Sequence, residues 1–278
     1  MESMGKGLKI FSYLPNPRVW KAEIAAKIAD VPLEIIGDKP SEIPNWLWDT
    51  DPKKLSEADK KDLKEFERIG KRGFNSSLYK TDRFIELIPF GTVPAAFSPD
   101  GKTGIFESNS ILRAVARQDT HKHLYGKNHF EASRIDSFLD SGLVFSREHQ
   151  EYLFGLENMH ESLYRRMQSA YEFFLNGVEE SLKSTSHIGF NFLTIVDISF
   201  FCDFSQFLRE GHYEEKLKEK GFNLISENFP EEYTLTYRHL MKLAKIEEFS
   251  TTTGTYLDWY KRKPVSYTHL RAHETEAD

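Results

Sequence analysis

The chain has 278 residues and a formal net charge of −6, from 37 basic and 43 acidic residues. This mixed balance gives no global field that would favour nucleic acid or an anionic membrane surface. The length suits two domains, and 22 phenylalanines supply a sizeable core. The single cysteine, Cys202, allows no intramolecular disulfide and no cysteine-only metal site. We therefore expect a cytoplasmic protein with no metal, no nucleic-acid partner and no membrane partner.

The first forty residues predict a β-α-β unit with parallel strands. Residues 8–13 form an apolar strand that runs into a turn at 14–17. In residues 18–30, Trp20, Ile24 and Ile28 recur at four-residue spacing, which is typical of one helix face. A second strand is expected over 31–36, with Pro32 at its start.

Residues 41–77 differ in composition from their surroundings. The pair Trp46 and Trp48 precedes a charged run at 51–72, in which Leu55, Leu63 and Phe66 give some helical periodicity. We predict an inserted, largely helical segment whose charges form a solvated face. A lid over a partner or substrate is the alternative interpretation.

The rest of the chain predicts two further strands and then helices only. A helix is expected over 82–91, a strand over 93–98 and a return strand over 103–106, joined by a turn in which Asp100-Gly101 suits positive φ angles. The next helix begins at Glu107-Ser108, and a polar linker covers 118–129. Helical periodicity then predicts helices at 131–150, 158–183, 195–210, 229–247 and 254–263. The predicted domains are 1–118 and 130–264.

The C-terminal tail is excluded from functional reasoning. Residues 265–275 read VSYTHLRAHET, which resembles one translated reading frame of a common transposon-derived sequencing adaptor. An ordinary polar tail is the alternative. We expect residues 265–278 to be artefactual and the natural sequence to differ after about Pro264. His269 and His273 are therefore not treated as metal ligands.

Four segments, in chain order, resemble the glutathione S-transferase family. Residues 16–22 (NPRVWKA) resemble the start of the first helix in the gamma subunit of elongation factor 1 and in related bacterial transferases. Residues 88–95 (IPFGTVPA) are similar to the family signature N-P-x-G-x-V-P-A, with Ile88 in place of asparagine. Residues 105–112 (IFESNSIL) are close to E-S-x-A-I, and 193–198 (LTIVDI) to T-x-A-D-I. The insertion at 41–77 has no counterpart in this resemblance.

The resemblance implies a fold and a glutathione site. The fold is an α+β thioredoxin-like domain of order β-α-β-α-β-β-α, followed by an all-α helical bundle. Pro94 is expected to be cis and to turn the backbone of Val93 toward the cysteinyl part of glutathione. At a helix N-terminus, Ser108 would bind the γ-glutamyl carboxylate and Glu107 the α-ammonium. Arg18 is a further candidate for a glutathione carboxylate, or else a solvated charge.

The first turn has to supply a donor for the glutathione thiolate, because a free thiol is mostly protonated at neutral pH. No cysteine lies at 14–17 and Cys202 is distant in sequence, so thiol–disulfide exchange is disfavoured. The candidate donors are Ser12, Tyr13 and Asn16. Tyr13 and Asn16 are favoured, because Tyr13 aligns with a tyrosine of the elongation-factor pattern. Core packing for Tyr13 and a turn or N-cap role for Asn16 are the alternatives.

The expected function is that of a glutathione transferase. It would join the thiolate of reduced glutathione, as co-substrate, to a small hydrophobic electrophile, in detoxification and as a homodimer. The helical half would supply the electrophile pocket, for which position alone suggests Arg134, Phe138, Phe145, Tyr152 and Phe154. Two alternatives stay open: a non-catalytic interaction module and a glutathione-dependent ligand carrier. Apart from these roles, residues 194–197 predict a helix capping box between Thr194 and Asp197.

Overall fold

A computed structural model describes residues 7–70, 74, 76–254 and 257. These residues divide into two compact units between Leu124 and Tyr125, within the segment predicted as a linker. The adaptor-like tail at 265–278 lies outside the described residues, as does the helix expected at 254–263 apart from Gly254 and Leu257. Among the residues described, no helix is long and apolar enough to span a membrane.

The N-terminal unit alternates short strands and helices. In chain order its elements are β1 (Leu8–Tyr13), α1 (Pro17–Ala29), β2 (Leu33–Asp38), β3 (Trp46–Trp48), β4 (Lys53–Lys54), α2 (Glu57–Asp62), β5 (Glu67–Ile69), β6 (Ser77–Lys80), α3 (Asp82–Leu87), β7 (Ala95–Phe97), β8 (Gly104–Phe106) and α4 (Ser108–Ala116).

The main sheet has the strand order β2-β1-β7-β8. β1 and β2 are parallel and joined by α1, whereas β7 is antiparallel to both β1 and β8. The β7–β8 hairpin turns as predicted: Gly101 has φ +67° and its N–H donates to the carbonyl of Ser98 at 2.8 Å. Without the insertion, the order is the predicted β-α-β-α-β-β-α.

The insertion is not largely helical, so that prediction is wrong. It forms a second four-stranded sheet of order β4-β3-β6-β5, in which β6 extends the insertion past residue 77 to Lys80, and α2 is only six residues long. Leu63 and Phe66, which suggested a helix, are only half-buried. The stronger signal is the two-residue spacing of Trp46 and Trp48, because alternate residues of a strand share a face.

The aromatic side chains of the insertion complete the core of the N-terminal unit. The indole of Trp48 is 1% exposed and lies 5.6 Å from the ring of Phe11 and 5.7 Å from that of Phe84, centroid to centroid. Such edge-on aromatic contacts are favourable beyond the area that they bury. The insertion therefore covers the face of β1 that carries Phe11.

The C-terminal unit is helical. Its helices are α5 (His129–Gly155), α6 (Glu161–Leu182), α7 (Ile195–Phe207), α8 (Glu214–Glu219), α9 (Phe229–Glu232), α10 (Thr234–Leu243) and α11 (Glu247–Thr253). Every residue of α7 except Gln206 is buried, including Cys202. α7 begins with the predicted capping box, in which Thr194 accepts from Val196 N–H and Asp197 accepts from Thr194 N–H.

The single helix predicted over 229–247 is interrupted at Tyr233, between α9 and α10. The carboxylate of Glu179, on α6, accepts from the N–H groups of Leu235 and Thr236 at 3.0 and 2.8 Å. This distant carboxylate satisfies donors that every new helix start leaves open. A tertiary contact, which local periodicity does not register, therefore sets this boundary. Periodicity also missed α8 and α11.

Candidate glutathione site

The candidate site residues of the main sheet converge at one end of it. Phe11 lies opposite Ala95 in the β1–β7 ladder, and Ala95 lies opposite Phe106 in the β7–β8 ladder. The next residues of the three adjacent strands therefore lie side by side. These are Ser12-Tyr13, Val93-Pro94 and Glu107-Ser108.

Ser12 and Asn16 form a buried pair. The Asn16 Nδ2 donates to Ser12 Oγ at 3.0 Å, and the two residues are 1% and 0% exposed. Asn16 is also the N-cap of α1, where its Oδ1 accepts from Arg18 N–H at 3.0 Å. Both side chains thus hold the turn between β1 and α1, the N-cap role that was the alternative for Asn16.

Tyr13 lies on the other face of β1 from Ser12. Its half-buried ring packs edge-on against Phe74 of the insertion, at 6.2 Å between centroids. Burial raises the pKa of the Tyr13 hydroxyl, and the positive charge of Arg18 opposes that shift only in part. The hydroxyl therefore stays protonated at neutral pH and remains a hydrogen-bond donor.

The Val93–Pro94 peptide bond is cis, as expected, and so is Leu14–Pro15, which the sequence did not indicate. Pro94, immediately before β7, is buried, whereas Val93 is half-buried. Val93 lies two residues beyond the last ladder pair of β7, Phe11 with Ala95. Its backbone is thus at the position where an extended peptide could continue the sheet.

Glu107 occupies the junction between β8 and α4. Its φ of +67° and ψ of 127° are unusual for a residue with a side chain. Glu107 is the N-cap of α4, makes no side-chain cap hydrogen bond and is exposed, while Ser108 is the first helical residue and half-buried. The side chain of Glu107 thus does not cap α4, and a helix start presents N–H groups and positive partial charge.

Two lysines near this end of the sheet were not among the predicted residues. Lys21 is 1% exposed and its Nζ donates to Asn109 Oδ1 at 2.9 Å, which ties α1 to α4. Lys80, on β6, donates to the carbonyl of Gly91 at 2.7 Å. Lys21 lies in the segment 16–22 that resembles the family, but it was not singled out there, and Lys80 lies in no motif.

The pocket candidates in the helical unit have different environments. Phe145 and Tyr152 are buried in its core, whereas Phe154 is 72% exposed. The guanidinium of Arg134 lies over the ring of Phe138 at 5.3 Å. The Tyr152 hydroxyl donates to the buried carboxylate of Glu210 at 2.8 Å, which makes it a structural contact. Within the described ranges, no group of three His, Cys, Asp or Glu side chains is arranged to hold a metal ion.

Comparison with curated proteins finds elongation factor 1-gamma. The chain is 29% identical over 132 residues to "Elongation factor 1-gamma" of Prunus avium, a match that covers 45% of this chain and 30% of that protein. It is 38% identical over 61 residues to "Elongation factor 1-gamma 1" of Oryza sativa subsp. japonica, covering 22% of this chain and 14% of that protein. The matched part is thus less than a third of either relative. No protein-family model matches the chain.

Comparison with solved structures finds glutathione transferases. The chain superposes on a glutathione S-transferase of Methylobacillus flagellatus, solved with glutathione bound, with a TM-score of 0.57 and 13% identity over 88% of this chain and 98% of that one. Glutathione transferase F2 of Populus trichocarpa gives a TM-score of 0.58 and 17% identity, over 90% and 99% of the two chains. Together with the strand order and the helical second unit, these matches show that the chain has the glutathione S-transferase fold.

Proposed function

We propose that this protein binds reduced glutathione at the end of its main sheet and transfers the thiolate to a small hydrophobic electrophile. The observation that carries the proposal is the ladder register. It brings together a strand end beside a helix start, a cis-proline loop and an open helix N-terminus. In the same order, these three features supply a donor for sulfur, an edge for an extended peptide and a site for a carboxylate.

Each part of glutathione is assigned to one feature. The backbone of Val93 pairs with the cysteinyl part, as one strand pairs with another. The N–H groups and hydroxyl at Ser108 bind the γ-glutamyl carboxylate, and the exposed carboxylate of Glu107 binds the α-ammonium. Arg18, half-buried in the first turn of α1, is proposed to attract a second carboxylate.

The proposed catalytic group is the Tyr13 hydroxyl. A donor aimed at sulfur favours the thiolate over the thiol and so supplies the nucleophile at neutral pH. Because the pKa of Tyr13 is raised, its proton is retained for that hydrogen bond. Ser12 and Asn16 act as positioning residues in this scheme, since each already bonds the other.

A non-catalytic module is the second candidate. It is favoured by the curated matches, all of which are elongation factor 1-gamma proteins, and by the burial of two of the three candidate donors. In that case the protein would keep the fold and act as an interaction surface or as a glutathione-dependent ligand carrier. A cytoplasmic homodimer is part of both proposals. Sedimentation velocity would measure whether the protein is a dimer.

Calorimetric titration of reduced glutathione into the 278-residue chain is the primary test. We expect saturable binding that Glu107→Ala loses and that Glu65→Ala, an exposed acid of the insertion, retains. The control matters because both variants change the net charge equally. Absence of binding by the folded wild-type protein would refute the glutathione site.

Turnover separates the two candidates. With glutathione and an activated aryl halide, the enzyme proposal expects conjugation that Tyr13→Phe slows while leaving glutathione affinity nearly unchanged. Loss of a donor to the reacting atom is expected to cost on the order of 10²-fold in kcat. Glutathione binding without conjugation across a panel of electrophiles would favour the module.

A further inference from the structure

The insertion reaches the cis-proline loop through one side chain. Lys80, the last residue of β6, donates from Nζ to the carbonyl of Gly91 at 2.7 Å. Gly91 lies two residues before Val93, whose backbone is assigned to the cysteinyl part of glutathione. A charged donor makes a stronger hydrogen bond to a carbonyl than a neutral donor does. This bond therefore restrains the loop close to the proposed ligand.

The Lys80 ammonium is held on its other side by an aromatic ring. It lies 4.5 Å from the ring centroid of Trp48, which is itself 1% exposed in the aromatic core. A cation over an indole face is attracted by the ring quadrupole. Burial lowers the pKa of Lys80, and the positive charge of Arg68 acts in the same direction. The amine is thus set in a partly desolvated position between a ring and a carbonyl.

The loop is shaped to receive this ammonium. Gly91 has φ +58°, and its N–H donates to the carbonyl of Ile88 at 2.8 Å to close a turn after α3. A Cβ at position 91 would lie 3.3 Å from Lys80 Nζ, tighter than an ordinary contact. Glycine therefore serves both the positive φ and the close approach of the lysine.

The backbone that follows Lys80 is also fixed. The next residue, Thr81, donates from its N–H to the carbonyl of Trp48 at 3.1 Å, and its hydroxyl donates to Asp49 Oδ1 at 3.0 Å. The same hydroxyl accepts from Phe84 N–H and caps α3. Thr81 thus joins the sheet of the insertion to the start of α3, directly after Lys80.

We infer that Lys80 is a positioning residue for glutathione, through which the insertion fixes the Gly91–Val93 backbone without touching the ligand. The inference rests on the proposed function, because it gives the cis-proline loop its role in binding. It assigns the insertion a part in recognition that its charged composition does not suggest. The side chain acts through Gly91, and the ligand meets only the loop.

The test compares three variants of the full chain. Lys80→Met keeps the aliphatic stem on Trp48 and removes the donor, and Lys80→Arg restores a cationic donor. Lys60→Met is the matched control, because Lys60 is in the same insertion but bonds Asn45 and Glu57 instead of the loop. The readouts are amide hydrogen exchange at Gly91 without ligand, calorimetric affinity for reduced glutathione, and urea unfolding.

We expect Lys80→Met to speed hydrogen exchange of the Gly91 amide about tenfold and to weaken glutathione affinity about tenfold. Each change corresponds to 1.4 kcal/mol. Lys80→Arg should restore the exchange rate and the affinity, and Lys60→Met should change neither of them. The urea unfolding midpoints of the variants should not follow the order of their glutathione affinities. Unchanged exchange at Gly91 would overturn the inference even if glutathione binds. Faster exchange with unchanged affinity would also overturn it. A wild-type protein that binds no glutathione would refute the proposed function, and the ligand role of Lys80 with it.

Discussion

Replacing Glu107 by glycine is expected to stabilise the fold while it weakens glutathione binding. Glu107 has φ +67° and ψ 127° and makes no side-chain cap hydrogen bond. A non-glycine residue held in such a region costs about 1–3 kcal/mol. Glycine removes that cost but gives back about 0.4–1 kcal/mol, because it gains more freedom in the unfolded chain. The net expectation is that Glu107→Gly exceeds Glu107→Ala in unfolding free energy by about 1 kcal/mol.

Urea unfolding and glutathione calorimetry on the same samples test this expectation. Both Glu107 variants lack the carboxylate and should lose glutathione affinity equally. Asp30 is the matched control, since it has φ 54° at the C-cap of α1, away from the candidate site. Asp30→Gly should stabilise relative to Asp30→Ala without changing affinity. If Glu107→Gly is no more stable than Glu107→Ala, the strain argument is wrong, and wild-type affinity in either variant would refute the ligand role of the carboxylate.

Three further predictions concern stability. Thr194→Ala should cost about 1 kcal/mol of unfolding free energy, because it removes an N-cap. Asp197→Ala should cost about 3–5 kcal/mol, because Asp197 also accepts from Ile188 N–H and His239 Nε2. Equal costs in urea unfolding would contradict this prediction. Burial raises the pKa of the Glu210 carboxyl, so its folded form binds a proton more tightly than the unfolded chain does, and the stability that it contributes below pH 4.5 is lost as pH rises. Glu210→Gln should therefore become more stable relative to the wild type as pH rises above 4.5 in urea unfolding, and a constant difference would refute the sign. Trp48→Ala should cost about 3–5 kcal/mol if the insertion belongs to the core of the N-terminal unit, and a cost near zero in the same assay would show that it is only attached.

The local chemistry of the sequence was sufficient for turns and caps. Asp100-Gly101 predicted the hairpin between β7 and β8, and Thr194 with Asp197 predicted the cap of α7. These features depend on residues a few positions apart, so a single sequence contains all the information that they need. The segments around Pro94 and Glu107 were selected in a different way, by their resemblance to a family signature, and their binding roles stay predictions.

The sequence misjudged the insertion because short strands have weak local signals. β3 to β6 are two to four residues long, and their stability comes from the pairing of Trp46–Trp48 with distant Ser77–Lys80 and from aromatic contacts with Phe11 and Phe84. The charged run, with three apolar residues at helical spacing, gave a stronger local signal for a helix than these short strands gave for a sheet. Strand pairing is non-local, so periodicity within the run could not register it.

For the candidate site, the sequence by itself determined which residue types are present at the end of the main sheet and in what order. Only the tertiary structure decided which groups each of them contacts. Ser12, Tyr13 and Asn16 were all candidate donors in the sequence, with Tyr13 and Asn16 favoured. The pleat of β1 sends Tyr13 to the face covered by Phe74 and Ser12 to the face where it bonds Asn16. The contact of Lys80 with Gly91 likewise joins β6 to the loop before β7, although the two strands belong to different sheets. Side-chain roles of this kind depend on which groups meet across the fold, and such meetings are fixed by packing, since local propensity acts only over a few neighbouring residues.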